Sequence, residues 1–367
     1  MDQAEIDLWH MRRALELAQA GQGHVEPNPM VGCVVVHGAE IIGEGWHRRF
    51  GAAHAEIEAL RLAGARAAGA SMFVTLEPCC HQGKTPPCCQ AVINAGIRRV
   101  VIAMRDPYPE VAGHGIEQLA AAGIQVDVGL LEDEGQRLNA PYLKLVNAGQ
   151  PWTIAKWAMT LDGKIATQTG ASQWISGEAS RRVVHALRGR VDAVIVGSGT
   201  ATQDNPLLTA RPPGTRTAVR IVLDSRAALS SGSQLVKTAR ETPVLVAIGE
   251  EAPPAERDRL TDAGCELFVC DGASPAARLE SLMDELGRRR MTNVLVEGGS
   301  GVLGSLLDAN GIDEVHVFVA PKLVGGRKAP SPIGGIGLAE LTSALTLDDV
   351  QVETLDGDTY IRGRVRV

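Results

Sequence analysis

The alternation of apolar and polar positions in the first part of the chain predicts short strands separated by helices. Compact apolar blocks rich in Val, Ile and Met are typical of buried strands, and we place strands at 31–36, 40–46, 71–76, 99–104 and 125–128. Segments with apolar residues three and four positions apart predict helices, at 11–20, 54–67, 87–95, 115–122 and 132–146. Only His37-Gly38-Ala39 separates the first two strands, which predicts a hairpin.

A turn-forming segment, Asn147-Ala148-Gly149-Gln150-Pro151, separates this pattern from a second alternating one. Strands are predicted there at 152–159, 193–196, 219–223, 243–247, 267–270, 293–296 and 314–320, and helices at 177–188 and 301–309. The last stretch, 350–367, predicts two extended segments around Asp356-Gly357. Strands alternating with helices indicate sheets covered by helices. We therefore expect two α/β domains, at 1–147 and 151–367, each long enough for its own core.

Composition and charge narrow the class of partner. Hydrophobic residues make up 45% of the 367 positions, which is typical of a folded protein. Aromatic residues make up only 3% and the formal net charge is −7, so a long nucleic-acid interface is not expected. The longest basic run, Arg288-Arg289-Arg290, follows a helical stretch and is typical of a solvated helix end. No apolar stretch approaches the ~20 residues of a membrane helix. These features favour a small-molecule substrate.

The cysteines indicate metal or redox chemistry. There are seven, an odd number, and four of them fall between Cys79 and Cys89. Such clustering favours a reducing compartment over a disulfide framework. Residues 1–10 include acidic side chains and lack the apolar stretch of a secretory signal, so we expect a cytoplasmic protein.

The strongest chemical pattern is His54-Ala55-Glu56 followed by Pro78-Cys79 and Cys88. A catalytic zinc site needs three protein ligands, a fourth position for water, and a nearby carboxylate that is not a ligand. Zinc lowers the pKa of its bound water toward neutrality. Glu56, two residues beyond His54, would take the water proton and return it to a leaving amine.

Other interpretations of these residues stay open on spacing alone. A closed structural zinc knuckle could use the cysteines between Cys79 and Cys89, so Cys80 and Cys89 are alternative ligands. His54 by itself could be an ordinary histidine. Cys33 lies in a Val-rich run and is typical of a buried apolar residue.

The second domain has two loops suited to phosphates. The strand at 293–296 continues into Glu297 and then Gly298-Gly299-Ser300-Gly301-Val302-Leu303-Gly304 before a helix. Glycines there let backbone N–H groups approach a phosphate at a helix N-terminus. No acidic residue ends a following strand, so a standard Rossmann site is not expected. A tight turn without a ligand is the alternative. A second small, polar loop, 197–206, follows the strand at 193–196.

These motifs together resemble a known family. His-x-Glu with Pro-Cys is similar to the cytidine deaminase superfamily signature, and the wide spacing from Cys79 to Cys88 resembles the deaminase half of the bifunctional riboflavin-biosynthesis deaminase/reductases. The second half resembles the reductase half in these segments: Lys156-Trp157-Ala158, Asp162-Gly163, Ser172-Gln173-Trp174-Ile175, Asp204-Asn205-Pro206-Leu207 and Glu297-Gly298-Gly299. The resemblance covers nearly the whole chain. It implies a cytidine-deaminase-like α/β/α domain followed by a dihydrofolate-reductase-like α/β domain.

The resemblance also implies roles for particular residues. Zinc would be held by His54, Cys79 and Cys88, with Glu56 catalytic. The deaminase pocket would be lined by Asn28, His47, His81 and Lys84. NADPH would contact Ala158, Trp174, Thr200, Asp204, Ser225, Gly299, Ser300, Gly301, Val302, Leu303, Gly304 and Ser305. The reductase substrate would contact Ser172, Arg188, Leu208, Arg211 and Glu297. Arginines suit a ribose phosphate, because guanidinium pairs with phosphate oxygens in a bidentate manner.

The implied function is two steps of riboflavin biosynthesis. Zinc hydroxide would deaminate 2,5-diamino-6-ribosylamino-4(3H)-pyrimidinone 5′-phosphate, and NADPH would then reduce the ribosyl chain to ribityl. We expect a homo-oligomer that binds neither nucleic acid nor membrane. The alternatives are a nucleic-acid base deaminase with an accessory domain and a zinc protein without catalytic activity. The residues themselves add one expectation, that Ser225 and Arg226 face the 2′-phosphate of NADPH while Asp224 caps a turn.

Overall fold

The computed structural model describes residues 2–81 and 86–366 of the chain. The chain divides into two compact units, Met1–Gly149 and Gln150–Val367. The boundary between the units falls inside the turn-forming segment 147–151. Both units contain a sheet with helices, as the alternating pattern predicts.

The first unit has a five-stranded sheet in the order β2-β1-β3-β4-β5. Its strands are β1 (Gly32–His37), β2 (Glu40–Trp46), β3 (Ser71–Val74), β4 (Arg99–Ile102) and β5 (Gln125–Val128). Its helices are α1 (Gln3–Gln19), α2 (Ala55–Ala63), α3 (Cys88–Asn94), α4 (His114–Ala121), α5 (Glu132–Leu138) and α6 (Ala140–Ala148). Strand β1 is antiparallel to both β2 and β3, whereas β3, β4 and β5 are parallel. The predicted hairpin is confirmed.

Both faces of this sheet are covered. On one face Met11 and Ala14 of α1 pack against Val34 and Phe73. On the other face, helices α2, α3 and α4 bury a separate apolar cluster. Helix α1 begins eight residues earlier than the apolar spacing predicts. The cause is a capping box, because Asp2 and Glu5 each accept the other's backbone N–H at 2.9 Å.

Glycine in β2 brings helix α2 close to the sheet. A Cβ at Gly45 would lie 2.4 Å from the carbonyl oxygen of Ala55, in the first turn of α2. Only a residue without a side chain permits that approach. The start of α2, with His54 just before it and Glu56 inside it, is thereby held against the sheet.

The second unit has a nine-stranded sheet in the order β10-β9-β8-β7-β11-β6-β12-β14-β13. Its strands are β6 (Trp152–Thr160), β7 (Ala193–Gly197), β8 (Val219–Leu223), β9 (Val244–Ile248), β10 (Glu266–Val269), β11 (Asn293–Val296), β12 (Glu314–Ala320), β13 (Leu347–Leu355) and β14 (Asp358–Val365). Its helices are α7 (Glu178–Arg188), α8 (Ser198–Asp204), α9 (Gln234–Lys237), α10 (Pro254–Asp262), α11 (Pro275–Arg288) and α12 (Ser300–Asp308).

Strands β6 to β12 are parallel to their neighbours, and β14 pairs antiparallel with both β12 and β13. Apolar clusters cover both faces of the parallel part. The loops that leave the carboxyl ends of parallel strands meet at one edge, where open α/β sheets bind ligands. The two loops singled out by sequence, after β7 and after β11, both lie at that edge.

Several helices of this unit differ from the prediction. Helix α8 occupies the stretch predicted as the loop 197–206, and α10 and α11 had no predicted bounds. Helix α11 does end at the basic run, as expected, because its last residue is Arg288. Its buried positions Leu279, Leu282, Met283 and Leu286 follow helical spacing. Among the described residues, no helix has the length and apolar character needed to cross a membrane.

Candidate active sites

Three metal-ligating side chains converge where α2 and α3 begin. His54 immediately precedes α2, Cys88 is the first residue of α3, and Cys79 follows β3. His54 Nδ1 lies 3.6 Å from Cys79 Sγ and 3.2 Å from Cys88 Sγ. Tetrahedral zinc with ordinary Zn–N and Zn–S bonds holds such atoms about 3.5 Å apart. In the described part of the chain, no fourth His, Cys, Asp or Glu joins this group. The donors therefore fit a zinc ion with an open position.

The other two cysteines of the cluster face elsewhere. The Cys80 thiol donates to the carbonyl of Glu110, and the buried Cys89 thiol donates to the carbonyl of Pro78 at 3.2 Å. The hydrogen bond between the Cys79 and Cys88 side chains lowers the pKa of Cys79 and raises that of Cys88. The directions of the thiols, and not their pKa values, therefore separate Cys79 and Cys88 from Cys80 and Cys89.

Glu56 lies beside this group but is not part of it. Its side chain is buried in the first turn of α2. Burial raises the pKa of its carboxyl, although the nearby His54 opposes that change. A carboxyl with a raised pKa can take up and release a proton closer to neutral pH. Glu56 is therefore a buried carboxyl group beside the three possible ligands.

Asn28 and His47 lie close to the three possible metal ligands. The His47 ring lies 5.4 Å from the His54 ring, centroid to centroid. Its Nδ1 is 3.1 Å from the carbonyl of Ala53, so Nδ1–H donates, and Nε2 accepts from Asn28 Nδ2 at 3.4 Å. Burial lowers the pKa of His47, which favours this neutral tautomer. These two expected pocket residues thus lie next to the metal group.

His81 lies on the same loop as Cys79. Its ring is 6.3 Å from that of Tyr108, and its Nε2 is 3.9 Å from the Glu110 carboxylate. Lys84, the fourth expected pocket residue, lies outside the described residues.

In the second unit, three charged side chains meet at the end of β11. Arg188 Nε and Nη2 donate to the two carboxylate oxygens of Glu297 at 2.5 and 2.8 Å, and Lys156 Nζ is 3.7 Å from the same carboxylate. Burial alone would raise the pKa of Glu297, but Arg188 and Lys156 hold it at about 2. Burial lowers the pKa of Lys156, with Glu297 acting in the opposite direction.

A cavity of about 700 Å³, the Glu297 cavity, opens above this ion cluster. All five expected substrate contacts line it: Ser172, Arg188, Leu208, Arg211 and Glu297. Lys156, whose role the sequence did not define, also lines it. Since Arg188 is engaged with Glu297, Arg211 is the arginine better placed to receive a phosphate. The contacts themselves stay predictions.

A second cavity of about 770 Å³, the Ser225 cavity, lies over the carboxyl ends of β7 to β10. It shares a wall with the Glu297 cavity, formed by Ile165, Ser172, Thr200, Asp204, Gly299 and Ser300. All but one of the expected cofactor contacts line at least one of the two cavities. They are Ala158, Trp174, Thr200, Asp204, Ser225, Gly299, Ser300, Gly301, Val302, Leu303 and Ser305. Gly304 lines neither cavity, and a Cβ there would meet the backbone of Gly334 at 2.3 Å. Gly304 therefore permits close packing of α12.

The turn after β8 separates the two residues expected at the cofactor. Ser225 lines the Ser225 cavity, whereas Arg226 is exposed and lines neither cavity. The buried Asp224 carboxylate accepts the backbone N–H of Leu229 at 2.7 Å and caps the turn, as expected. The cavity lining gives no support for a contact between Arg226 and NADPH, and that contact stays a prediction.

Comparison with known proteins identifies the family. The RibD C-terminal domain matches residues 151–361, and the cytidine and deoxycytidylate deaminase zinc-binding region matches residues 4–104. The riboflavin biosynthesis protein RibD of Actinobacillus pleuropneumoniae is 41% identical over 97% of this chain and 94% of its own length. The chain belongs to the RibD family. RibD of Aquifex aeolicus is 40% identical, over 97% of this chain and 98% of its own.

Solved RibD structures have the same fold. Acinetobacter baumannii RibD superposes with a TM-score of 0.87 at 35% identity, and a Thermotoga maritima deaminase/reductase with 0.85 at 36%; both cover 100% of each chain. The predicted family and fold class are confirmed: a cytidine-deaminase-like domain precedes a RibD-type reductase domain. The protein is a bifunctional deaminase and reductase of riboflavin biosynthesis, and its deaminase domain belongs to a zinc-binding class.

Sequence reasoning missed Glu77, which joins two distant segments of the RibD deaminase domain. Glu77 is buried just before Pro78-Cys79, and its carboxylate accepts four backbone N–H groups at 3.0 to 3.3 Å, from Asp106, Gly113, Gly115 and Ile116. The segment bearing Cys79 is thereby joined to the segment 106–116, which includes the first turn of α4. No local spacing indicates this role, since all four donors are remote in sequence.

Asn139 was also missed, for the same reason. Its amide accepts from Met30 N at 2.8 Å and donates to Met30 O at 3.0 Å, which fixes the segment that carries Asn28. The helix predicted at 132–146 divides into α5 and α6 at this residue, and Pro141 lies in the first turn of α6.

We expect Glu77→Gln to lower the free energy of unfolding of the deaminase domain by about 1–3 kcal/mol. The glutamine amide places an NH₂ group where one carboxylate oxygen of Glu77 accepts two N–H groups. Those buried N–H donors then lack an acceptor, which costs a free energy of this size. Urea unfolding of the full chain measures the change. Glu117→Gln, an exposed carboxylate on α4, is the matched control and should shift stability much less. Equal shifts for both variants would contradict the role of Glu77.

Proposed function

We propose that the N-terminal domain removes the 2-amino group of 2,5-diamino-6-ribosylamino-4(3H)-pyrimidinone 5′-phosphate, and that the C-terminal domain then reduces the ribosyl chain with NADPH. The observation that carries the first step is the three-ligand group with buried Glu56 beside it. The second step rests on the shared wall of the two cavities. The T. maritima relative is described as a diaminohydroxyphosphoribosylaminopyrimidine deaminase and 5-amino-6-(5-phosphoribosylamino)uracil reductase, which supports the same assignment here.

In the deaminase domain, His54, Cys79 and Cys88 would hold zinc. When bound, the ion would supply Lewis acidity that lowers the pKa of water toward neutrality. Glu56 would accept a proton from water on its carboxylate and deliver it to the departing amino group. Asn28, positioned by the neutral His47 ring, offers an amide that can donate to and accept from the polar edge of a pyrimidine.

In the reductase domain, the chain's own residues hold the sugar and its phosphate. Glu297 is kept ionised by Arg188 and Lys156, so its carboxylate can accept from ribose hydroxyls. Arg211 lies in the same cavity and suits the 5′-phosphate. The Lys156 amine lies in the same cavity, and burial lowers its pKa. We assign proton donation in the reduction step to Lys156.

The Ser225 cavity fits NADPH, which supplies hydride when bound. The N-terminus of α12 lies at Gly299, where unpaired helix N–H groups attract phosphate. A Cβ at Gly301 would meet nothing within 4 Å, so the backbone there is open to a ligand. The shared wall would bring a cofactor in this cavity within reach of a sugar in the Glu297 cavity.

We also propose a cytoplasmic homo-oligomer. The chain has free cysteines, including reactive ones at the metal group, which suits a reducing compartment. Strand β13 forms one edge of the large sheet and exposes Val350 and Val352. An exposed apolar edge strand is a surface that a second copy can cover.

Removal of zinc should stop the first reaction and spare the second. With the diamino substrate, NADPH oxidation followed by absorbance should cease after a chelator is added and return when zinc is restored. With the deaminated uracil substrate, oxidation should be unaffected by the chelator, since in the described ranges 2–81 and 86–366 no group of metal-ligating side chains lies at the reductase cavities. If chelation stopped both reactions equally, the assignment of the zinc-dependent deamination to one domain and of the reduction to the other would be refuted.

A further inference from the structure

The Ser225 cavity has two chemically different ends. One end is the wall shared with the Glu297 cavity. The other end lies past the carboxyl ends of β8, β9 and β10 and is lined by Ser225, Ala247 and Cys270, with Pro275 and Arg278 from the first turns of α11. This second end is the part of the cavity farthest along the sheet from the sugar site.

The geometry orients a dinucleotide in this cavity. Hydride transfer requires the reactive ring to lie against the sugar, which places it at the shared wall. The adenosine half must then extend along the strand ends toward β10. The group that distinguishes NADPH from NADH, a phosphate on the adenosine ribose, would therefore lie at the Ser225 end.

Arg278 is the one arginine or lysine among the described residues that line the Ser225 cavity. Its side chain is 21% exposed and its Nη1 is 3.2 Å from Glu251 Oε1, whose side chain is 52% exposed. The other acid at this end, Asp224, is buried and already bonded to the Leu229 N–H. This end of the cavity therefore has one hydroxyl, from Ser225, and one cation, from Arg278, among side chains that are mostly apolar.

We propose that Arg278 binds the 2′-phosphate of NADPH and gives the reductase domain its preference over NADH. This assignment rests on the use of NADPH in the proposed function, and it adds the residue that recognises the 2′-phosphate. The Ser225 hydroxyl lines the same end and can donate to the same phosphate. An arginine fork pairs with two phosphate oxygens at once.

Glu251 holds Arg278 until the cofactor arrives. An exposed ion pair contributes little net stability, whereas a phosphate carries more charge and more acceptor oxygens than a carboxylate. Arg278 therefore exchanges Glu251 for the 2′-phosphate at small cost. NADH has a hydroxyl group in place of the 2′-phosphate, so it cannot replace Glu251 as the ionic partner of Arg278.

The test is isothermal titration calorimetry of the full chain with adenosine 2′,5′-bisphosphate and with 5′-AMP at one fixed salt concentration. The wild type should bind the bisphosphate more tightly. Arg278→Ala should weaken bisphosphate binding by roughly 10- to 100-fold, the range for hydrogen bonds between charged groups, and change 5′-AMP binding less than about twofold. Arg278→Gln keeps most of the side-chain length and should behave in the same way, which guards against a packing defect.

Two matched variants sharpen the result. Arg226→Ala, one residue after Ser225 but facing solvent, should leave both affinities unchanged. Glu251→Gln removes the competing carboxylate and should tighten bisphosphate binding without changing that of 5′-AMP. Weaker bisphosphate binding by Glu251→Gln would overturn the exchange.

The outcomes separate this inference from the function it rests on. If the wild type bound both probes equally, the choice of NADPH itself would fail. If the wild type discriminated and Arg278→Ala discriminated equally well, the NADPH assignment would stand and the role of Arg278 would be overturned.

Discussion

Glu56→Gln should retain zinc and lose deamination by about 10²- to 10⁴-fold, the range expected for a lost general acid–base group. Glutamine has nearly the same shape, so the buried first turn of α2 should keep its packing. Its amide cannot take the water proton or return it to the amine. Zinc should stay, because His54, Cys79 and Cys88 form the ligand group without Glu56.

The reductase domain provides an internal control for this variant. Reduction of the deaminated uracil substrate by Glu56→Gln should match the wild type. Glu58→Gln alters another carboxylate of α2, one that pairs with Arg61 at 3.0 Å, and should keep deamination. Metal analysis and ammonia release measure the two properties. Loss of stoichiometric zinc from Glu56→Gln would show that Glu56 is a ligand and not a shuttle.

Cys88→Ser should empty the metal site and reduce deamination to background. A serine hydroxyl is a far weaker zinc ligand than a thiolate, and a three-ligand site has no protein donor to spare. The same result is expected for Cys79→Ser. Cys88 also begins α3, so circular dichroism and the retained reductase activity should confirm that the variant is folded.

The neighbouring cysteines are the controls for ligand choice. Cys80→Ser and Cys89→Ser should keep stoichiometric zinc, since these thiols donate to the carbonyls of Glu110 and Pro78 instead. Each control lies one residue from a ligand, so general damage to the loop would affect ligand and control alike. Zinc lost from Cys80→Ser would mean that the ligand set is wrong.

The zinc group was predictable because its signal is local. His54 and Glu56 are two residues apart at the start of a helix, and Pro78-Cys79 lies shortly after β3 ends at Val74. The resemblance then selected Cys88 over Cys89, and the thiol directions agree with that choice. The parallel strands were equally predictable, because a strand that is buried on both faces of its sheet appears in the sequence as a continuous apolar block.

Residues that act through long-range backbone contacts could not be predicted in this way. Glu77 and Asn139 bond to groups that are 29 or more residues away, so no spacing reveals them. Arg226 was expected to contact the cofactor because it adjoins Ser225. At the turn capped by Asp224, however, its side chain is exposed to solvent. Arg278 reaches the cavity from α11, a helix whose apolar spacing was present in the sequence but was not given bounds.

The central claim is that one chain removes an amino group and then reduces a sugar with hydride from NADPH. The most direct measurement is mass spectrometry of the product made from substrate carrying ¹⁵N in its 2-amino group, with NADPH deuterated at the transferred position. The account predicts a product that lacks the ¹⁵N and has gained one deuterium in its ribityl chain, with labelled ammonia released. A product that retains the ¹⁵N, or that carries no deuterium, would contradict it.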